Sequence, residues 1–443
     1  MTSKLCKFLD IGILFLINIL SGVPALVSLF IAFVLFVGIY SFRTYDYDNM
    51  KNFIQNTIRV FMGVVSGFAM LAVFYYFLRD YVSAESVFYT FVFATVIIPV
   101  VNRISFALYI KTVIPRKYLV IGKKNEIGHI LDEITRKSYG KLLFVEYINP
   151  SPAKLHKLIE ENYKKRDFSP FTQFFYPDEK PWKEGTFDSI IITDPILEKF
   201  IQNDLEKLKD KGMDIEYLPT VAEFYLKRIP VEVLEKFEEH YKIAFGSISN
   251  SPAKRMLDFI VSLVALIILS PILAVVALSI LIENGRPVVF KQPRTGKDNE
   301  VFIMHKFRSM RNQSEEDVKG KFATDEKSRI LKIGRIIRMF RLDETLQFWD
   351  ILTGKMSLIG PRPEQPHFVS QYEKEIPFYS YRHKLKTGLT GWAQIMYKYT
   401  STVEETKVKL SYDLYYVKNR TSILDINIIL KTIEAVIWRR GAV

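Results

Sequence analysis

The sequence predicts a membrane protein in three parts: an N-terminal bundle of apolar helices, a central parallel α/β domain, and a C-terminal, mostly helical domain. Three observations predict it. Long apolar runs fill residues 11–40, 57–78, 86–110 and 259–282 of the 443, while 114–250 and 284–443 read as ordinary globular sequence. Between residues 118 and 194, buried-strand runs alternate with a helical period. Further on, cations recur every third residue along an apolar stretch, which suits a helix lying in a headgroup layer. The expected boundaries are 1–113 for the membrane helices, 114–250 for the α/β domain and 251–443 for the C-terminal domain.

In the first part, Thr57 to Leu78 and Ser86 to Ile110 each approach the ~20 apolar residues that cross about 30 Å of hydrocarbon. They form a hairpin around Arg79-Asp80-Tyr81. Lys111, Arg116, Lys117, Lys123 and Lys124 crowd the exit of the second run, so the positive-inside rule puts residue 111 onward in the cytoplasm. The run at 11–40 is interrupted by Ser21-Gly22-Val23-Pro24 and reads as one long kinked span or two short ones. Lys4 and Lys7 on one side and Arg43, Lys51 and Arg59 on the other all prefer the inside, so parity favours two spans and four in total. The start, Met1 to Lys7, has a basic flank but no small-residue cleavage pattern after it, as expected of an uncleaved anchor.

The second part opens on Tyr118-Leu119-Val120-Ile121-Gly122, a buried-strand run, followed by a helical period over Ile127 to Ile134. Further strands are expected at Leu142 to Ile148 and Ser189 to Asp194. Strands alternating with helices make a small Rossmann-like domain. Its first turn, Gly122-Lys123-Lys124-Asn125-Glu126-Ile127-Gly128, lacks the middle glycine that lets backbone approach a pyrophosphate. A structural or regulatory domain is therefore expected in place of a working dinucleotide site.

The third part begins with Phe259 to Ile282, apolar with Ser270-Pro271 at its middle. Hydropathy alone gives a fifth span, but Lys254 and Arg255 before it and Arg286, Lys291 and Arg294 after it place both ends on the cytoplasmic side. A break at Ser270-Pro271 would let the segment dip into one leaflet and return as a re-entrant helix; a kinked full span is the alternative.

Composition narrows the chemistry. Hydrophobic residues make up 49% and charged ones 25%, and the formal net charge of +13 fits nucleic acid or an anionic membrane equally well on its own. The membrane segments decide for lipid headgroups and phosphorylated substrates, with no nucleic acid expected. The single cysteine, Cys6, excludes a disulfide framework within the chain and Cys-based zinc sites, and suits a reducing compartment.

Lys327 to Arg341 carries cations at 327, 329, 332, 335, 338 and 341 with apolar residues between them. As a helix it sets Arg335, Arg338 and Arg341 near one face and delivers Asp343 and Glu344 at its end. Around that pair the sequence supplies phosphate partners: Lys306-Phe307-Arg308, the arginine cluster, and Arg362 between Pro361 and Pro363. Arginine grips phosphate oxygens with two parallel bonds, and a carboxylate held nearby can ligate Mg²⁺ or attack phosphorus. His305, His367 and His383 are not spaced as helical metal ligands and read as structural; Trp349, Trp392, Tyr415 and Tyr416 read as core or interface aromatics.

From about Pro252 to Val443 the chain resembles the bacterial sugar transferase family, the polyprenyl-phosphate hexose-1-phosphate transferases of exopolysaccharide and O-antigen synthesis. The matching stretches are Lys254-Arg255 with Asp258, Phe290 to Gly296, Lys306 to Met310, Leu342-Asp343-Glu344, Gly360 to Pro363, Thr387 to Gln394 and Tyr412 to Tyr416. The apolar helices and α/β domain ahead of them are similar to the extension of the family's large members. The resemblance implies transfer of a sugar 1-phosphate from a UDP-sugar to undecaprenyl phosphate with release of UMP, on the cytoplasmic face of the bacterial inner membrane. It implies that Asp343 is the nucleophile and contacts Mg²⁺, that Glu344 assists it, and that Lys306, Arg308, Arg338, Arg341, Arg362, Pro363 and Gln394 bind substrate. A homo-oligomer and contact with other polysaccharide-assembly enzymes fit the same picture. Two departures stand out: Asp350 replaces an asparagine frequent in the family, and Met396-Tyr397-Lys398-Tyr399 replaces Asn-Gly-Arg. The second is similar to the exopolysaccharide branch and leans towards glucose or galactose 1-phosphate. Two other readings stay open: a lipid phosphotransferase working by direct transfer, and a membrane-anchored assembly scaffold or sensor without catalysis.

Overall fold

A computed structural model of the chain describes residues 2–148, 187–210, 212–248, 251–311, 329–397 and 402–437. They fall into two compact units, Met1–Ile114 with Ile429–Trp438, and Pro115–Ile428 with Arg439–Val443.

The first unit is helical. The run at 11–40 forms two helices, ending at Leu20 and starting at Ala25, because Gly22 takes φ +84° and Pro24 starts a new helix. Helices Ala25–Ser41 and Phe53–Ala72 pack backbone to backbone: a Cβ on Gly38 would lie 2.3 Å from the Gly63 carbonyl oxygen. Helix Ala84–Thr112 completes the bundle around Leu35, Ile39, Val60, Val64, Ala94 and Ile98. The end of helix Ser422–Ile437 belongs here too, where buried Glu434 takes Arg43 Nε at 2.9 Å and Arg59 Nη1 at 2.6 Å. Among the described residues, three helices are long and apolar enough to cross a membrane: Phe53–Ala72, Ala84–Thr112 and Pro252–Asn284.

In the second unit, strands β1 (Arg116–Ile121), β2 (Leu142–Ile148), β3 (Ser189–Ile192) and β4 (Asp214–Tyr217) form one parallel sheet in the order β2-β1-β3-β4. The continuous Leu/Val/Ile runs of β1 and β3 are buried on both faces, as a parallel sheet with covered faces requires. Helix Lys124–Ser138 follows β1. At the carboxyl ends of β1 and β3, where such sheets bind ligands, Lys236 bridges Glu126 and Asp194, so two carboxylates stand beside the Gly122 turn. Helices Leu218–Leu226, Val231–Lys236 and Glu238–Gly246 carry the chain on towards the C-terminal part. There Ile229 N donates to Ser411 O at 2.9 Å, and Phe245 meets Tyr381 with ring centroids 5.1 Å apart.

The rest of this unit is mostly helical. Helix Pro252–Asn284 leads into the antiparallel hairpin β5 (Val289–Thr295) and β6 (Val301–Phe307). Helices Lys332–Met339 and Gln347–Leu352 flank a turn at Leu342–Glu344, and β7 (Ser357–Ile359) pairs in parallel with β8 (Gly388–Thr390). Helices Pro366–Glu375 and Val403–Asn419 follow, and then the first residues of helix Ser422–Ile437.

Two expectations are corrected. The helix is unbroken through Ser270-Pro271, over 33 residues or about 50 Å. Proline at 271 removes the N–H that Ile267 O would accept, and Ser270 Oγ donates to that same oxygen at 2.7 Å, so the helix continues past a residue that bends a helix axis without ending it. The basic stretch is helical only over Lys332–Met339; Ile330 forms a bridge with Met310, and Arg341 sits outside the helix at φ 54°, where the chain reverses. Lys327 lies outside the described residues, as do Lys398 and Tyr399.

Candidate active site

The left-handed Arg341 turns the chain out of helix Lys332–Met339 and sets Asp343 and Glu344 on a short helical turn over the end of β6. Lys306, in the last residues of β6, points at the turn. Glu344 accepts Arg362 Nη2 at 2.9 Å, Lys306 Nζ at 3.2 Å and Arg341 Nη1 at 3.5 Å, with its side chain 12% exposed. Burial pushes the Glu344 carboxyl up, but the charges of Arg362 and Lys306 outweigh it and hold it at about 2.

Asp343 differs. It makes no ion pair among the described residues, and its carboxyl is raised, first by burial and then by the Glu344 charge, against the pull of Lys306 and Arg338. One carboxylate is thus committed to three cations, and its neighbour to none among the described residues. Lys306 is pushed down by burial and held up by Glu344.

The Gly360–Glu364 segment is fixed from all sides. Gly360 and Gly388 approach so closely that a Cβ on Gly388 would fall 2.1 Å from Gly360 N, which only glycine permits. Every carbonyl from 361 to 364 is then engaged: Pro361 O accepts Gly388 N at 2.9 Å, Arg362 O accepts Arg382 Nη2 at 2.9 Å, Pro363 O accepts Arg294 Nη1 at 3.1 Å, and Glu364 O accepts Thr295 N at 2.9 Å. Arg382 is itself buried against Asp413 at 2.8 Å. Arg362 is thereby held by its backbone while its guanidinium faces the dyad.

Of the residues expected at the site, Lys306, Arg341, Arg362, Asp343 and Glu344 come together, and Arg338 acts on Asp343 through its charge. Arg308 lies two residues beyond Lys306, buried, its Nε without a hydrogen bond. Pro363 is part of the fixed turn. Gln394 follows Gly391, whose Cβ would lie 2.2 Å from Gly360 O; its Oε1 is buried without a partner, and no described contact joins it to the dyad. Ser270 and Pro271 lie exposed at mid-helix, apart from this cluster. The sequence reading missed Arg382 as a supporting residue and gave Asp413 no role. His305 pairs through Nδ1 with Asp350 at 2.6 Å, while Trp392 is buried and Trp349 is 53% exposed.

Among the described residues no cluster of three His, Cys, Asp or Glu side chains could hold a metal. The unpaired Asp343 carboxylate suits Mg²⁺, which is held by one or two carboxylates together with substrate phosphates and does not need a cage of protein ligands.

Comparison with known proteins adds the following. The family model for bacterial sugar transferases matches residues 249–439. The chain is 38% identical over 249 residues to a UDP-N-acetylgalactosamine-undecaprenyl-phosphate N-acetylgalactosaminephosphotransferase of Aeromonas hydrophila, covering 53% of this chain and 59% of that protein. It is 35% identical over 261 residues to a UDP-glucose:undecaprenyl-phosphate glucose-1-phosphate transferase of Klebsiella pneumoniae, covering 57% of this chain and 55% of that protein. The chain thus spans a little over half the length of these two relatives. An exopolysaccharide production protein, PSS, of Rhizobium leguminosarum bv. phaseoli is 37% identical over 195 residues, covering 42% of this chain and 96% of that protein.

Proposed function

The chain belongs to the bacterial sugar transferase family, and on that premise we propose that it moves a sugar 1-phosphate from a UDP-sugar to undecaprenyl phosphate and releases UMP. An Asp343 carboxylate oxygen attacks the phosphorus that bears the sugar; the bond to the UMP oxygen breaks and UMP leaves with the electron pair. A phosphate oxygen of undecaprenyl phosphate then attacks the same phosphorus, giving the lipid diphosphate sugar and freeing Asp343. The observation that carries this reading is the division of labour in the dyad, with Glu344 bound to three cations and Asp343 to none among the described residues.

Lys306 and Arg362 grip the diphosphate and stabilise charge on the transferring group; Arg308, Arg338 and Arg341 add to that field. Asp343 would hold Mg²⁺, which would supply further neutralisation of the diphosphate charge. Gln394 and Pro363 contact the substrate from the turn side. The setting is the cytoplasmic face of the bacterial inner membrane, with four spans ahead of residue 114. Both ends of helix Pro252–Asn284 support a re-entrant course, because they dock on one domain. Arg255 donates to Ile351 O and Leu352 O, Asp258 accepts from Ser357 Oγ at 2.7 Å, and Glu283 accepts from Lys332 N and Ile333 N, while the middle of the helix stays exposed.

The test is purified protein with undecaprenyl phosphate and a panel of UDP-glucose, UDP-galactose and UDP-N-acetylgalactosamine. UMP is expected before lipid product, with a sugar phosphate on the peptide containing Asp343 after rapid quench. Sequential kinetics with no adduct would favour direct transfer through a ternary complex; no UMP from any donor would leave the non-catalytic scaffold.

A further inference from the structure

The α/β domain reaches the C-terminal domain at points one step from the Arg362 turn. Lys227, left-handed at φ 53°, offers its carbonyl to the indole N–H of Trp392 at 2.9 Å. Trp392 is buried and follows Gly391, which lies against Gly360 at the start of that turn. A second tether starts from Glu223. This buried carboxylate accepts Lys418 Nζ at 2.6 Å, Asn419 Nδ2 at 2.9 Å and Tyr241 OH at 3.0 Å. Lys418 and Asn419 end helix Val403–Asn419, whose Asp413 holds Arg382 and whose Tyr416 OH, donating to Asp425 Oδ1 at 2.7 Å, lies 3.2 Å from Ile359 O. Arg382 in turn holds Arg362 O. Two separate routes from one domain therefore end on the same few backbone atoms.

We propose that Trp392 and Glu223 are positioning residues for phosphate binding: by seating the α/β domain, they fix the turn that aims Arg362 at the substrate diphosphate. The catalytic assignment rests on the function proposed above; the brace itself rests on geometry alone. A loose turn would still carry Arg362, so the expected loss is partial and falls on substrate binding. The Rhizobium protein, matched over 96% of its length, leaves no room for a comparable domain, which also fits a partial loss.

The experiment uses the full chain in lipid nanodiscs with Trp392→Phe, which removes the indole N–H but keeps a ring, and Glu223→Gln, which touches no residue placed at the dyad. Both variants should raise amide exchange at Gly388, whose N–H binds Pro361 O, and should raise KM for the UDP-sugar by roughly 3- to 10-fold with kcat little changed. A merely structural role would lower the melting temperature and leave KM alone. Unchanged exchange at Gly388 in both variants overturns the brace, and raised exchange with unchanged KM overturns its part in binding. If the unmodified protein releases no UMP from any donor, the proposed activity fails instead, and the exchange measurement still decides the brace.

Discussion

Two neighbouring carboxylates, chemically alike, are set apart by what surrounds them. Asp343→Asn is expected to lower UMP release by about 10³-fold or more while UDP-sugar binding by calorimetry changes little, since Lys306 and Arg362 remain. Retained turnover would disprove the nucleophile. The same contrast gives opposite pH behaviour. Glu344 is held at about 2 against an ordinary 4.5, so its contribution to stability is complete above about 4.5 and is lost as the pH falls from there through about 2. Asp343 is raised, so its ionisation in the folded protein is resisted, and the acid limb of kcat/KM should lie above the ordinary carboxylate value of 3.8. A pH–rate profile with its acid limb at or below that value would show that some other group limits the reaction. The sequence showed Lys306, Asp343, Glu344 and Arg362 because each sits in a short run whose residue types announce phosphate chemistry. It could not show Arg382, because nothing in Tyr379–Lys384 marks that arginine; its role exists only through Asp413 and the Arg362 carbonyl.

At the scale of elements, periodicity located the long apolar helices and the first three strands but not how they end. β1 to β3 were visible as apolar runs, whereas β4, Asp-Ile-Glu-Tyr, was not, because its exposed edge residues carry charge that pairs with Arg116. Helix Pro252–Asn284 shows the limit most clearly: a proline predicts a lost hydrogen bond, but whether a neighbouring hydroxyl replaces it depends on a rotamer. Ser270→Ala should leave Ile267 O without that donor and cost about 1 kcal/mol, read as a lower melting temperature in nanodiscs. The re-entrant course is tested separately. Cysteines at Ala253 and Arg286, exposed positions at either end of the helix, in a Cys6→Ser background, should both resist a membrane-impermeant thiol reagent in intact cells and both react in inverted vesicles. Labelling of Arg286→Cys from outside would establish a full span.

Over the whole molecule, the least legible feature is the return of the chain's end to its beginning. Glu434 and Arg59 are 375 residues apart, and no pattern in either segment points to the other. Polarity within an apolar bundle is the local sign of such a pair, because a buried charge persists only where it is matched. Here the match is close: the Glu434 side chain is 1% exposed and the Arg59 side chain 5%, with Arg43 on the second carboxylate oxygen. Replacing a whole buried pair with apolar residues can be nearly neutral, whereas removing one partner strands the other. Glu434→Leu should therefore destabilise the Met1–Ile114 unit by about 3–5 kcal/mol, because it leaves Arg59 buried and unpaired. Adding Arg59→Leu should recover a large part of that loss, although the Arg43–Glu434 pair stays broken. Unfolding of the four members of this double-mutant cycle in one detergent measures the coupling. A coupling near zero would mean that the Arg59–Glu434 contact contributes nothing to holding the last helix in the first unit.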